Sequence, residues 1–414
     1  MLCSEFRSEA RTVRSCKHSP KHGTARSLFY MKNLLQKLKE LFQKELMLSV
    51  SLLAAVISLF ITPPSAALLK DIDWKTLATL FMMLTVLEGF KKENIFLPLI
   101  RLSSGFTTMA GISLFVVFGV FFTSMFVTND VSLIIFVPLT ILLFRSGGKE
   151  HYILPVISME NIAAIRGSML MPFGSPQNLF IFSRSGVPVG KFILHMFPLS
   201  AFSAVLLVLF VKFLYRKEPG EKITLSRETT DSTWAPEKKR RRITYLILFA
   251  MIIATIVTRT TLWPYMALLV AVVIFFTDKE LLKQTDYVLL LTFLCFFVFS
   301  SSIAANPGIS EFLKGSVSEH EFWWAIGLSQ IISNVPASIV LWPFTTNMAA
   351  LLYGADTAGL CSIIGSLASV INYRIYVREY PGNGGKFLKT FTLISWAFFL
   401  IVVIPGMLLC KWRF

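Results

Sequence analysis

Apolar runs separated by short polar breaks fill the chain from about residue 46 to residue 409. A bilayer core of about 30 Å takes about 20 helical residues, so run length sorts them into elements. Runs near that length predict spans at about 46–62, 74–90, 192–214, 243–258, 262–277, 286–303 and 387–409. Val127–Thr140, VTNDVSLIIFVPLT, departs from this pattern. It sets a polar trio, Thr128, Asn129 and Asp130, between apolar runs of 17 residues (Gly111–Val127) and 14 residues (Val131–Phe144). Two short arms around a polar tip predict a helical hairpin over 107–144 that enters the membrane and returns. Unpaired backbone at such a tip needs protein or a water-filled cavity around it. A charged Asp there is expensive and marks a functional site.

The same shape returns in Ile332–Thr345, ISNVPASIVLWPFT, and predicts a second hairpin over 320–346. Asn129 and Asn334, Pro138 and Pro343, and Thr140 and Thr345 are each 205 positions apart. Leu68-Leu69-Lys70 with Asp73-Trp74 matches Leu281-Leu282-Lys283 with Asp286-Tyr287 at an offset of 213. Two further spans are interrupted. The one starting near 152 carries Pro172, Gly174 and Pro176 within ENIAAIRGSMLMPFGSPQNLFIF, and the one at about 348–373 carries Gly354, Gly359 and Gly365. Proline removes a donor and clashes with the preceding turn, and glycine weakens a helix. A break inside the membrane exposes helix ends whose N–H groups and dipole favour an anion.

The predicted fold is therefore an all-α polytopic membrane protein of two inverted repeats. Each repeat has a re-entrant helical hairpin and an interrupted transmembrane helix, and the site lies where the repeats meet. Residues 1–45 form a basic N-terminal tail with an amphipathic helix over Leu34–Leu48. Residues 1–30 are expected to be disordered, and Met31 is a plausible second start. Residues 46–214 form the first repeat, 215–242 a cytoplasmic linker, 243–258 a connecting span and 259–414 the second repeat. Residues 93–105 and 306–318 are expected at the interface.

Composition supports this picture. The 414 residues are 54% hydrophobic and 15% charged, and mean hydropathy is +0.65. The net charge of +16 does not point to nucleic acid, because the basic residues lie in loops between apolar segments. The segment up to Lys44 holds ten Lys/Arg against three acids, and 215–242 holds nine against five. These loops are placed in the cytoplasm, as are Lys91-Lys92, Arg145/Lys149, Lys279/Lys283 and Arg374/Arg378. Nine full spans then put the C-terminus outside and invert the halves. The expected location is the cell membrane, inner or plasma. Five cysteines without a CxxC pair or a His partner imply neither a disulfide frame nor a zinc site.

ENIAAI…GSMLMPFGSPQNL, YGADTAGL…IGSLASVI and the TND and SNV tips resemble the ion transporter superfamily of citrate/dicarboxylate and arsenite permeases, over about 45–410. The resemblance implies two half-sites facing each other near the midplane, alternating access and assembly as a homodimer. In the dicarboxylate branch each tip is typically Ser-Asn-Thr and binds carboxylate and sodium. Here the matching residues are Thr128-Asn129-Asp130 and Ser333-Asn334-Val335, and the Asn-Asp tip more closely resembles the arsenite permease branch.

Asn129 and Asn334 can each donate and accept, which suits a cation or an anion. The alternative is a pair of helix-capping amides at the hairpin turns. Asp130 can ligate sodium, carry a coupling proton or cap the returning arm. Sodium, if it is the coupling ion, is expected at Asn129, Asp130 and Asn334. No organic cofactor is expected. Gly174, Ser175, Gln177 and Asn178 follow the first break, and Asp356 stands in the matching region of the second. Glu160 and Arg166 are about 120° apart in helical rotation and are not natural partners. Arg166 can meet an anionic substrate or Asp130, or belong to a structural ion pair. Glu160 can cap a neighbouring helix end.

The expected function is a secondary active permease for a small anion, such as citrate, a dicarboxylate or arsenite, coupled to protons or sodium. A sodium/proton antiporter is the alternative. A membrane-embedded enzyme is remote, because the chain has no HExxH, no GxSxG and no clustered His or Cys. It also has no GxxxxGK[ST] loop for ATP.

Overall fold

The polar punctuation along the chain becomes helix ends. A computed structural model describes residues 46–63, 66–95, 105–217, 220 and 236–412, and every described element is helical. The first half holds α1 (Leu46–Ile61), α2 (Ala66–Asp71), α3 (Trp74–Lys92), α4 (Met109–Val127), α5 (Asn129–Ser146), α6 (Ile153–Ser168), α7 (Pro176–Ser185) and α8 (Val189–Leu214). The second holds α9 (Pro236–Thr258), α10 (Trp263–Gln284), α11 (Tyr287–Ala305), α12 (Pro307–Val317), α13 (Glu321–Ile332), α14 (Asn334–Leu341), α15 (Met348–Ala358), α16 (Leu367–Glu379) and α17 (Gly384–Leu409). Residues up to Val50 and residues from Ser51 onward form two separate units. All packing described below lies within the second.

One order of elements occurs twice: a span, a hairpin, a broken helix, a span. It runs α3, α4–α5, α6/α7, α8 and then α11, α13–α14, α15/α16, α17. The caps repeat with it. Asp73 accepts the Thr76 N–H at 3.0 Å to start α3, and Asp286 accepts the Leu289 N–H at 2.9 Å to start α11. Both closing helices, α8 and α17, run 26 residues around an internal proline, Pro198 and Pro405.

By length and composition, α4, α5, α8, Lys239–Thr258 of α9, α11 and α17 can each cross a membrane. Phe60 is 85% exposed, Phe276 82% and Leu393 71%, which suits a bilayer rather than water. Inside, glycine sets the closest approaches. A Cβ on Gly167 of α6 would strike the Phe121 carbonyl of α4, and one on Gly354 of α15 would lie 2.5 Å from the Phe322 carbonyl of α13. Each broken helix thus packs main chain to main chain on the first arm of its hairpin. The halves also interlock. α7 packs on α14 and α15, and α16 packs on α5 and α6.

Three details differ from the pattern reading. The arms of the first hairpin are 19 and 18 residues, not 17 and 14. The Thr108 side chain accepts from the Gly111 N–H and starts α4 early, and the polar Asn129 and Asp130 are themselves helical. The connecting helix begins at Pro236 rather than 243, since proline suits a first helical position. Arg241 and Arg242 are therefore helical, and Arg242 Nε donates to the Glu93 carbonyl at 2.8 Å. α10 continues past 277 to Gln284 with a kink at Asp278, whose carboxylate meets Lys92 at 2.6 Å. The expectations for residues 1–45, for 96–104 and for 221–235 fall outside the described residues.

Candidate functional site

The two hairpins turn on one residue each, in the same conformation. Thr128 has φ 76° and ψ 154°, and Ser333 has φ 70° and ψ 159°. Positive φ in a residue other than glycine costs about 1–3 kcal/mol and persists where the surroundings enforce it, often at functional sites. The turn lets α5 and α14 begin immediately at Asn129 and Asn334.

The breaks repeat as closely. Gly174-Ser175 precedes α7 and Gly365-Ser366 precedes α16. A Cβ on Gly174 would strike the Ser168 carbonyl, and one on Gly365 the Ala358 carbonyl. Each chain folds back onto the end of the half-helix it has just left, which only glycine permits. Thr128, Ser333, Ser175 and Ser366 each stand before a helix with a hydroxyl able to cap it, and none caps. Thr108, Asn306 and Asn347 do cap theirs. Four helix N-termini are thereby left with positive dipole ends and few partners for their N–H groups.

The two broken helices meet across the halves. Gln177 Nε2 donates to Asp356 Oδ1 at 3.0 Å. The Asn178 amide, oriented to satisfy both its ends, donates to Asp356 at 3.1 and 3.2 Å. Arg166 and Asp356 occupy corresponding places, two residues before the ends of α6 and α15. Both are 0% exposed. Arg166 Nη2 donates to Thr357 Oγ1 at 3.4 Å, Nη1 reaches Met169 Sδ at 3.6 Å, and Nε has no partner among the described residues. Asp356 thus accepts from neutral amides, while the Arg166 guanidinium makes only long hydrogen bonds, to neutral groups.

Of the residues expected to form the site, the structure gathers Gln177, Asn178, Arg166 and Asp356, with Gly174 and Ser175 forming the adjoining break. Ser333 is the second tip, and Asn334 ties it to the second break. Asn334 Nδ2 donates to the Ala355 carbonyl at 3.3 Å and its N–H to the Gly365 carbonyl at 3.2 Å. At the first tip, Asn129 Oδ1 accepts the Asp130 N–H at 3.0 Å. No described bond joins Thr128, Asn129 or Asp130 to the Arg166–Asp356 cluster. Asp130 does not cap α5, and its Oδ1 is buried without a partner among the described residues. Such an oxygen fits sodium, a hard cation that takes oxygen ligands. Among the described residues no three His, Cys, Asp or Glu come together, so amide or main-chain oxygens would complete the site. Arg166 does not meet Asp130, and Glu160 accepts from the Thr140 hydroxyl rather than capping a helix.

Sequence reasoning passed over Thr357, Ser366 and Gln330. Gln330 accepts from Ser362 Oγ at 2.6 Å and donates to the Ala358 carbonyl at 3.2 Å, holding the second break. The doubled Gly-Ser pair pointed to Ser366, and nothing local pointed to Gln330.

The chain is similar to several known membrane proteins. Inner membrane protein YbiR of Escherichia coli is 30% identical over 348 residues, 81% of this chain and 89% of that protein. An uncharacterized transporter of Methanocaldococcus jannaschii is 28% identical over 334 residues, 80% and 88% of the two chains. The solved YdaH transporter of Alcanivorax borkumensis shares 14% identity at a TM-score of 0.49, over 88% of this chain and 96% of that one. At that distance nothing about this chain follows from it. The family model described as citrate transporter matches residues 40–365. This multi-pass membrane protein is a transporter that belongs to the citrate transporter family.

Proposed function

We propose that the chain is a secondary active transporter of a small anion, of the citrate, dicarboxylate or oxyanion class, driven by protons or sodium. Arg166 carries this reading. A wholly buried guanidinium with an unpartnered Nε is costly unless an anion comes to it. Asp356 forms no ion pair with it among the described residues, and its oxygens accept from Gln177 and Asn178 instead. The uncapped N-termini of α5, α7, α14 and α16 add N–H donors suited to carboxylate or oxyanion oxygens. Asp130 at the first tip, with its buried Oδ1, is the group for a coupling ion, and Asn129 and Asn334 stand beside the substrate path. The positive-inside pattern supports a cytoplasmic 215–242 and a C-terminus outside, in a protein of the cell membrane.

The test is uptake of labelled citrate, succinate and arsenite into proteoliposomes, with and without imposed proton and sodium gradients. Gradient-dependent accumulation of one solute class, lost in Arg166→Gln, is the expected result. A sodium-driven pH change with no solute accumulation would overturn the reading in favour of a sodium/proton antiporter.

A further inference from the structure

The seam where α16 of the second half lies between α5 and α6 of the first is polar, and it is separate from the Arg166–Asp356 cluster. Asn161 Nδ2 on α6 donates to Ser369 Oγ on α16 at 3.0 Å. Asn372 Nδ2 on α16 donates to the Ile157 carbonyl on α6 at 2.7 Å. Ile157 and Asn161 are one turn apart on one helix face, and so are Ser369 and Asn372. The two asparagines therefore lie within about one turn of each other along an antiparallel contact. The same register reaches the helix ends. There Tyr380 Oη donates to Glu150 Oε2 at 3.1 Å and Arg145 meets Glu379 at 3.3 Å.

Both asparagines are 0% exposed, and the Oδ1 of each has no hydrogen-bond partner among the described residues. Glu160, the chain neighbour of Asn161, is also 0% exposed. Its Oε1 accepts from Thr140 of α5, and its Oε2 has no partner among the described residues. Three buried oxygens, all of them acceptors, thus line one three-helix seam, the asparagines about one turn apart and Glu160 next to Asn161 in the chain. Unsatisfied buried acceptors are destabilising, and a set with no donors calls for an electron-poor occupant. Two amide oxygens beside a carboxylate are hard ligands of the kind that hold an alkali cation.

We propose that this seam is a site for one sodium-sized monovalent cation, held by Asn161 Oδ1 and Asn372 Oδ1, with Glu160 supplying the negative charge and water completing the shell. The site is distinct from the oxygen set at the hairpin tip. Because its ligands come from both halves, filling it ties α6 to α16. That consequence rests on the transport reading, but the site itself does not.

The experiment is binding of radioactive sodium to the purified full chain in detergent, at constant ionic strength with choline as the replacement cation. It is done on the parent and on Asp130→Asn, which removes the carboxylate at the tip. Saturable sodium binding that survives Asp130→Asn is expected. Asn161→Ala and Asn372→Ala should each weaken it about tenfold or more, since even an outer-shell partner of a metal ligand is worth that much. Glu160→Gln should abolish it. If the alanine variants do not fold, Asn161→Asp replaces them. It can still bond Ser369, adds charge and should tighten sodium, and a failure to tighten overturns the proposal. No sodium binding by the parent, or binding indifferent to Asn161, Asn372 and Glu160, also overturns it and leaves a water molecule as the occupant. A protein that binds sodium in this way yet moves no anion defeats the transport reading and leaves the site standing.

Discussion

Arg166→Met distinguishes a guanidinium held for a substrate from one held for the fold. The contacts it removes are weak: 3.4 Å to Thr357 Oγ1, and 3.6 Å to a thioether, which is beyond a normal hydrogen bond. Together they are worth about 1–2 kcal/mol. Replacing the ion relieves a desolvation penalty of several kcal/mol, and an unbranched methionine fills much of the same space. Asp356 keeps its bonds from Gln177 and Asn178 but loses a nearby positive charge, worth a few kcal/mol at most at an effective dielectric constant of about 20. The opposing effects nearly cancel, so unfolding stability should stay within about 1–2 kcal/mol of the parent. A structural ion pair broken on one side would instead cost about 3–5 kcal/mol. The two cases differ by more than tenfold in the unfolding constant, which denaturant or thermal unfolding in detergent can resolve. The expected outcome is near-parent stability with uptake abolished. A loss of about 3 kcal/mol or more with uptake retained would refute the assignment and make Arg166 a structural residue.

Gly167→Ala places a Cβ against the Phe121 carbonyl and 2.5 Å from Ser124 Oγ, and a main-chain oxygen cannot rotate away. It should lower stability by about 1–3 kcal/mol, whereas Gly327→Ala, which meets open space, should be neutral or slightly stabilising; parallel melting curves check both. Asn129→Ala and Asn334→Ala should each abolish transport at normal expression, and near-parent uptake by both would remove the tips from the site. Asp130→Asn should fold and exchange substrate downhill but lose accumulation driven by a proton or sodium gradient. Parent-like concentration of substrate in proteoliposomes would place coupling elsewhere. A cysteine at Thr260, in the α9–α10 loop, should react with an impermeant reagent added outside whole cells, and reaction only after permeabilisation would invert the orientation.

The sequence by itself determined the elements that depend on neighbours a few positions away. The hairpin tips were legible because a polar trio cannot continue an apolar run through lipid. The breaks were legible because proline and glycine act within one turn, and the repeat because Asn129 and Asn334, and Asp73 and Asp286, recur at fixed offsets. Even there, the reach of the first hairpin's arms was misjudged. The extra turns of α4 and α5 come from the Thr108 cap and from a positive φ at Thr128, which hydropathy does not encode. Only the tertiary structure decided the partners. Gln177 meets Asp356 across 179 positions, Arg166 meets Thr357 across 191 and Asn161 meets Ser369 across 208. A buried polar side chain takes whatever donor or acceptor the packing brings to it, because water is absent. That choice depends on how α7 threads between α14 and α15, and how α16 lies on α5 and α6, and not on the residues flanking it in the chain.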